Sequence, residues 1–141
     1  MIDHLYDVLE AARAASFPEV TVIYKDDIPD AKPEKCSIGL IADDKEFIPT
    51  GENARSAVKQ TIYIVINILL YNRSEGAVIA DLRTTAAKVK AVLKANLRLN
   101  DFLVLPGRIL GAQEAQAQPG GEKSRLYEIT FEGKYFEGGE S

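Results

Sequence analysis

Residues 58–71 read VKQTIYIVINILLY, one long strand whose two alternating sets of side chains decide the fold. One face carries Val58, Ile62, Ile64, Ile66, Ile68 and Leu70; the other carries Tyr63, Val65, Leu69 and Tyr71 among Thr61 and Asn67. A strand with one wet face alternates cleanly between apolar and polar residues, whereas a strand apolar on both sides needs cover on both. A chain of 141 residues has little material with which to cover two faces of a sheet. The expected second cover is therefore another copy of the chain or a partner.

Composition places the rest around that strand as an ordinary globular domain, with 46% hydrophobic and 27% charged residues. The net charge of −4, from 17 basic and 21 acidic residues, disfavours a general nucleic-acid coat held by a basic surface. The single cysteine, Cys36, has no partner for an internal disulfide, and MIDHLYDVLEAA lacks the basic-then-apolar pattern of a signal peptide. The longest apolar run, residues 62–71, is broken by Asn67 and falls far short of the roughly 20 residues of a membrane helix. These features predict a cytosolic protein, or one assembled in a cytosol, with no membrane contact.

Upstream of the long strand, Leu5, Val8, Leu9 and Ala12 recur at helical spacing, with Asp3 as the expected cap and Phe17-Pro18 as the stop. Residues 20–24 (VTVIY) and 36–42 (CSIGLIA) read as strands, separated by an acidic, proline-containing loop. Asp43-Asp44 turns the chain, residues 46–49 extend briefly, and residues 50–56 (TGENARS) form a polar loop.

Downstream, residues 72–76 read as a turn. Val78, Leu82, Ala86, Val89, Leu93 and Leu97 then form one stripe of a helix of about six turns, which commits that face to burial. Arg83, Lys88, Lys90, Lys94 and Arg98 make the helix basic, chiefly as a solvated face. The last third is a hairpin with arms 102–118 and 124–136 around Pro119-Gly120-Gly121, and its tip is expected to project beyond the core. Residues 1–136 form the expected single α+β domain and residues 137–141 a loose tail.

No catalytic set can be assembled from these residues. His4, the only histidine, sits beside a helix start and reads as a surface residue, and Cys36 has no second histidine to activate it. The carboxylates Asp26-Asp27, Asp30 and Asp43-Asp44 lack calcium-loop spacing and read as solvated turn residues. None of the glycines opens a phosphate-binding helix after a strand. No cofactor and no metal are expected.

The fold class that follows is α+β, a mainly antiparallel sheet with two helices packed on one face and a long C-terminal hairpin. In this order the chain resembles the tail terminator (tail completion) proteins of long-tailed bacteriophages and prophages. The resemblance lies in the opening helix with its Phe17-Pro18-Glu19-Val20 step, the lead through Arg55 into Thr61 and Tyr63, the amphipathic helix beginning EGAVIADL, and the closing strand pair. It covers nearly the whole chain as pattern and order, without an invariant motif.

The resemblance implies a structural protein, not an enzyme, that assembles as a ring, a hexamer by that likeness, on the end of the tail tube. Its partners would be the tail tube protein and the head connector or neck protein, with DNA at most passing through. Its place would be the virion tail or neck, reached from the host bacterial cytoplasm, and a head-to-tail contact closing into a ring is the matching symmetry. The surfaces expected to meet neighbours are Arg55 and Lys59, the second face of the long strand at Tyr63, Val65 and Asn67, and the hairpin at Gln113, Gln116 and Gln118. Two alternatives remain: another neck or head-closure component, and a small oligomeric ligand-sensing α+β module.

Overall fold

The computed structural model describes residues 1–26, 36–48, 57–69, 74–116 and 124–136, with only the backbone described at 115 and 116. In chain order these form α1 (Ile2–Ser16), β1 (Val22–Lys25), β2 (Cys36–Ala42), β3 (Glu46–Ile48), β4 (Ala57–Leu69), α2 (Glu75–Ala95), β5 (Arg108–Gln116) and β6 (Ser124–Phe136). The polar loop with Arg55, the hairpin tip with Gln118 and the C-terminal tail lie outside the described residues.

The 13-residue β4 is the axis of a six-stranded sheet ordered β1-β2-β4-β6-β5. Among the described residues only β1 and β2 run parallel; the other pairings are antiparallel. Along one edge β4 pairs with β6 over its whole length, Ala57 opposite Phe136 through Leu69 opposite Ser124. The other edge is shared: β2 takes Ile62 to Ile68 and β3 takes Ala57 to Lys59. Between them the Asp43 N–H donates to the Thr61 carbonyl at 2.7 Å, so the ladder continues across the turn.

Alternation along β4 sorts its side chains as the sequence predicts. Val58, Ile62, Ile64, Ile66 and Ile68 lie in one core with Ile38 and Leu40 of β2 and Ile129, Phe131 and Tyr135 of β6. The same cluster contains Leu5 and Leu9 of α1 and Val78, Leu82, Val89 and Leu93 of α2, so both helices cover one face. Each fully buried large aliphatic contributes roughly 1.5–3 kcal/mol, which makes this layer the main source of stability.

Several local expectations are corrected. Asp3 does not cap α1: Met1 holds the N-cap position without a side-chain bond, and Asp3 accepts from Lys25 Nζ at 3.1 Å. The first strand begins at Val22 and not at residue 20. Ser74 caps α2 by accepting from the Ala77 N–H at 3.2 Å, so Gly76 belongs to the first helical turn. The helix stops at Ala95, leaving Leu97 and Arg98 beyond it. Asn96, with φ −135°, breaks the helical path, and Leu99, Asn100 and Asp101 then adopt positive φ values of 48°, 57° and 66°, a left-handed run that turns the chain.

The first hairpin arm consequently starts later than its apolar sequence suggests. Residues 102–107 form a connection pinned at both ends: the Val104 N–H donates to Lys134 O at 2.8 Å and the Gly107 N–H to Leu97 O at 2.6 Å. Gly107 presses so closely on the buried Phe131 ring that a Cβ there would collide with it. Phe102 leaves the sheet line to stack on His4, with centroids 3.8 Å apart and planes at 11°. His4 is therefore half-buried and part of the packing between α1 and this connection, not a free surface residue.

Candidate assembly interface

Opposite the helices lies the second face of the sheet, and the strand register brings most of the expected contact residues together on it. Tyr63 pairs with Ile41 and Thr130, Val65 with Gly39 and Glu128, and Asn67 with Ser37 and Leu126. Gln113 joins the Val65 row through Glu128, and Lys59 lies two residues further along β4 from Thr61, opposite Glu46 and Lys134. Gln116 pairs with Arg125 at the end of β5, in the row next to that of Asn67.

These positions differ sharply in access. Val65, Asn67 and Leu69 are only 5%, 4% and 6% exposed, whereas Thr61, Tyr63 and Lys59 are half-buried and Gln113 is exposed. The expectation that β4 needs another copy to cover its second apolar face is therefore corrected, since these side chains are buried within one chain. What this face offers is Tyr63, half-buried between Ile41 and Thr130. Arg108 donates to Glu132 at 3.1 Å and Lys59 pairs with Glu46 at 3.1 Å, giving a mixed-charge surface suited to a wet contact.

The basic side of α2 is largely occupied with its own chain. Arg83 pairs with Glu114 of β5, Lys90 Nζ donates to the Tyr127 hydroxyl at 3.0 Å, and Arg125 of β6 pairs with Glu75. Lys88 reaches Glu19 at 3.2 Å. Lys88 and Lys90 are half-buried and tie the helix to the turn before β1 and to the sheet, while Arg83 and Lys94 remain exposed as the solvated-face reading expects.

Glu19 lies at a cavity of about 310 Å³ also lined by Cys36, Ile68, Asp81, Thr84, Thr85 and Lys88. Partial burial pushes the Glu19 carboxyl up. Its own backbone N–H and the hydrogen bonds from Lys88 and Thr85 outweigh that and hold it below the ordinary carboxylate range. A carboxylate so engaged is a poor general base. Among the described residues, no group of three or more His, Cys, Asp or Glu side chains is arranged to hold a metal ion, and no helix is long and apolar enough to cross a membrane.

Sequence reasoning missed the exposed large hydrophobics Phe47 (63%), Leu105 (57%) and Leu110 (49%). Phe47 stands on the short β3, and Leu110 is the extra residue of a bulge between Ile109 and Gly111. The available signal was an excess: residues 102–110 contain more large apolar side chains than one face of one strand can bury.

No protein-family model matches the sequence, and no curated protein matches it. The fold has a counterpart. A chain from the virion of a native gene transfer agent (GTA) particle aligns with a TM-score of 0.53 over 94% of this chain and 91% of its own length, at 15% identity. At that identity the likeness is one of fold, and it runs through both helices and the sheet together, since it leaves almost none of the chain out.

Proposed function

We propose that the chain is a structural component of a phage-like virion, and specifically a tail terminator that rings the end of the tail tube, stops its growth and receives the head connector. The observation that carries this reading is the end-to-end fold likeness to a chain of a gene transfer agent virion. The order of elements that resembles tail terminators adds to it. The contact surfaces are the mixed-charge face around Lys59, Tyr63 and Gln113 and the exposed apolar residues at the sheet edges. On this reading the protein is not an enzyme and needs no cofactor, and a net charge of −4 lets DNA pass without being gripped.

The test is addition of the purified protein to growing tail tubes, followed by electron microscopy. The expected result is a ring at tube ends and an arrest of elongation. Binding to the isolated connector with no effect on tubes would replace this reading with a neck or head-closure role. Binding to neither would overturn both.

A further inference from the structure

Phe47 and Leu105 lie on opposite edges of the sheet at nearly the same height. Phe47 of β3 stands opposite Val58 of β4, which stands opposite Tyr135 of β6. The adjacent row runs Glu46, Lys59, Lys134 and on to Val104, whose N–H bonds the Lys134 carbonyl. Leu105 follows on the far side of β6. Strands spaced about 4.8 Å apart put the two edges roughly 14 Å from one another.

The two edges differ in charge and in shape. Phe47 is a protruding ring, preceded by Asp43 and Asp44 with Lys45 between them and Glu46, and the Glu46 charge is matched by Lys59. Leu105 borders a cavity of about 210 Å³ with Pro106, Arg108, Glu132, Gly133 and Lys134, where Arg108 is paired with Glu132 and Lys134 supplies the remaining positive charge. An acid-flanked aromatic knob thus stands on one edge and a base-flanked hollow on the other.

We infer that Phe47 of one copy seats in the Leu105–Lys134 hollow of a second copy, in a head-to-tail contact. Used head to tail, the contact leaves each copy with one patch unused, which a ring satisfies by closure. The bulge at Leu110 disfavours simple addition of a strand to β5. This inference rests on the ring reading above and names the surfaces that build the ring.

Cysteine trapping tests it with Phe47 and Leu105 left intact. Asp44→Cys and Pro106→Cys proteins are mixed in equal amounts and briefly oxidised, in free solution and on tail tubes; Cys36, 3% exposed, stays out of reach. The mixed disulfide should exceed each symmetric one by about tenfold, and Phe47→Asp added to the Asp44→Cys chain should lower it by about as much. Mixed product no more abundant than random pairing gives in both settings, or a yield indifferent to Phe47→Asp, overturns the inference. Should Pro106→Cys fail to fold, Leu110→Cys on the same edge takes its place. Mixed trapping without capping of tubes sustains this contact and overturns the terminator role. Capping with symmetric products alone does the reverse.

Discussion

Lys88 of α2 meets Glu19 of the turn before β1 at 3.2 Å across 69 residues of chain, and Thr85 donates to the same carboxylate oxygen at 3.1 Å. This is the polar link between the long helix and the sheet edge at β1, and it makes the contact sensitive to acid. Because Glu19 is held below its ordinary range in the folded chain, its contribution is full above that range. It is lost as the pH falls through the lowered value. Glu19→Gln should cost roughly 0.2–1 kcal/mol near neutrality, since both side chains are partly solvated. The variant should also flatten the acid limb of stability against pH, measured by urea unfolding from pH 7 to pH 3. An acid limb identical to the parent's would remove Glu19 from that account.

The same link separates two lysines that the sequence treats alike. Lys88→Glu places a carboxylate against Glu19 and should destabilise by about 1 kcal/mol. Lys94→Glu, at an exposed position in the last helical turn, should stay within roughly 0.5 kcal/mol. Equal effects in parallel denaturation curves would mean that the Glu19 contact is not kept in solution.

Leu82 and Leu93 are almost fully buried between α2 and the sheet. Truncation of either to alanine should cost about 2–5 kcal/mol through the cavity it leaves. A loss below 1 kcal/mol at both positions, on the scale of a surface change, would place the helix with another face inward.

Gly107 and Gly111 flank the bulge, yet only one of them has room for a methyl group. Gly107→Ala drives a Cβ into the Phe131 ring, which has no exposed side toward which to move, and should destabilise by about 1–3 kcal/mol. Gly111→Ala meets nothing within 4 Å and should change stability by no more than about 0.5 kcal/mol. Thermal melts of the two variants provide the comparison, and a reversed order would contradict the packing of the connection on β6.

Ser74→Ala removes the side-chain cap of α2 and should cost about 1 kcal/mol. Ser74→Asp should restore most of it, because an aspartate both caps and favours the positive end of the helix. A helical signal unchanged by either substitution would show that Glu75 and the packed stripe hold the helix start unaided.

The central layer was legible because period carries it. Isoleucines at 62, 64, 66 and 68 admit one register, and Val78, Leu82, Val89 and Leu93 admit one helix face. What resisted reading depends on contacts distant in sequence. Residues 102–107 look like strand, but the left-handed run before them and the stacking of Phe102 on His4 bend them away. Arg83 and Lys94 are as exposed as the helix pattern suggests, whereas the half-burial of Lys88 depends on Glu19, which arrives from another element. Of the expected contact residues, Lys59, Tyr63 and Gln113 are accessible on one face. Val65 and Asn67 share the face but not the access, because alternation fixes side and not depth.

The pairing of β4 with β6 has a consequence for how the chain is made. Tyr135 and Gln60, joined by a buried hydrogen bond at 3.4 Å, are 75 residues apart in sequence, and every rung between the two strands is similarly remote. During synthesis β4 leaves the ribosome with one edge complete only when β2 and β3 have docked. Its other edge waits until the last strand has been translated. For that interval thirteen residues rich in isoleucine and valine present an unpaired edge to every other nascent copy. Docking of α2, which lies between the two strands in the chain, covers the core face of β4 but not that edge, so the edge stays open to mispairing until β6 arrives.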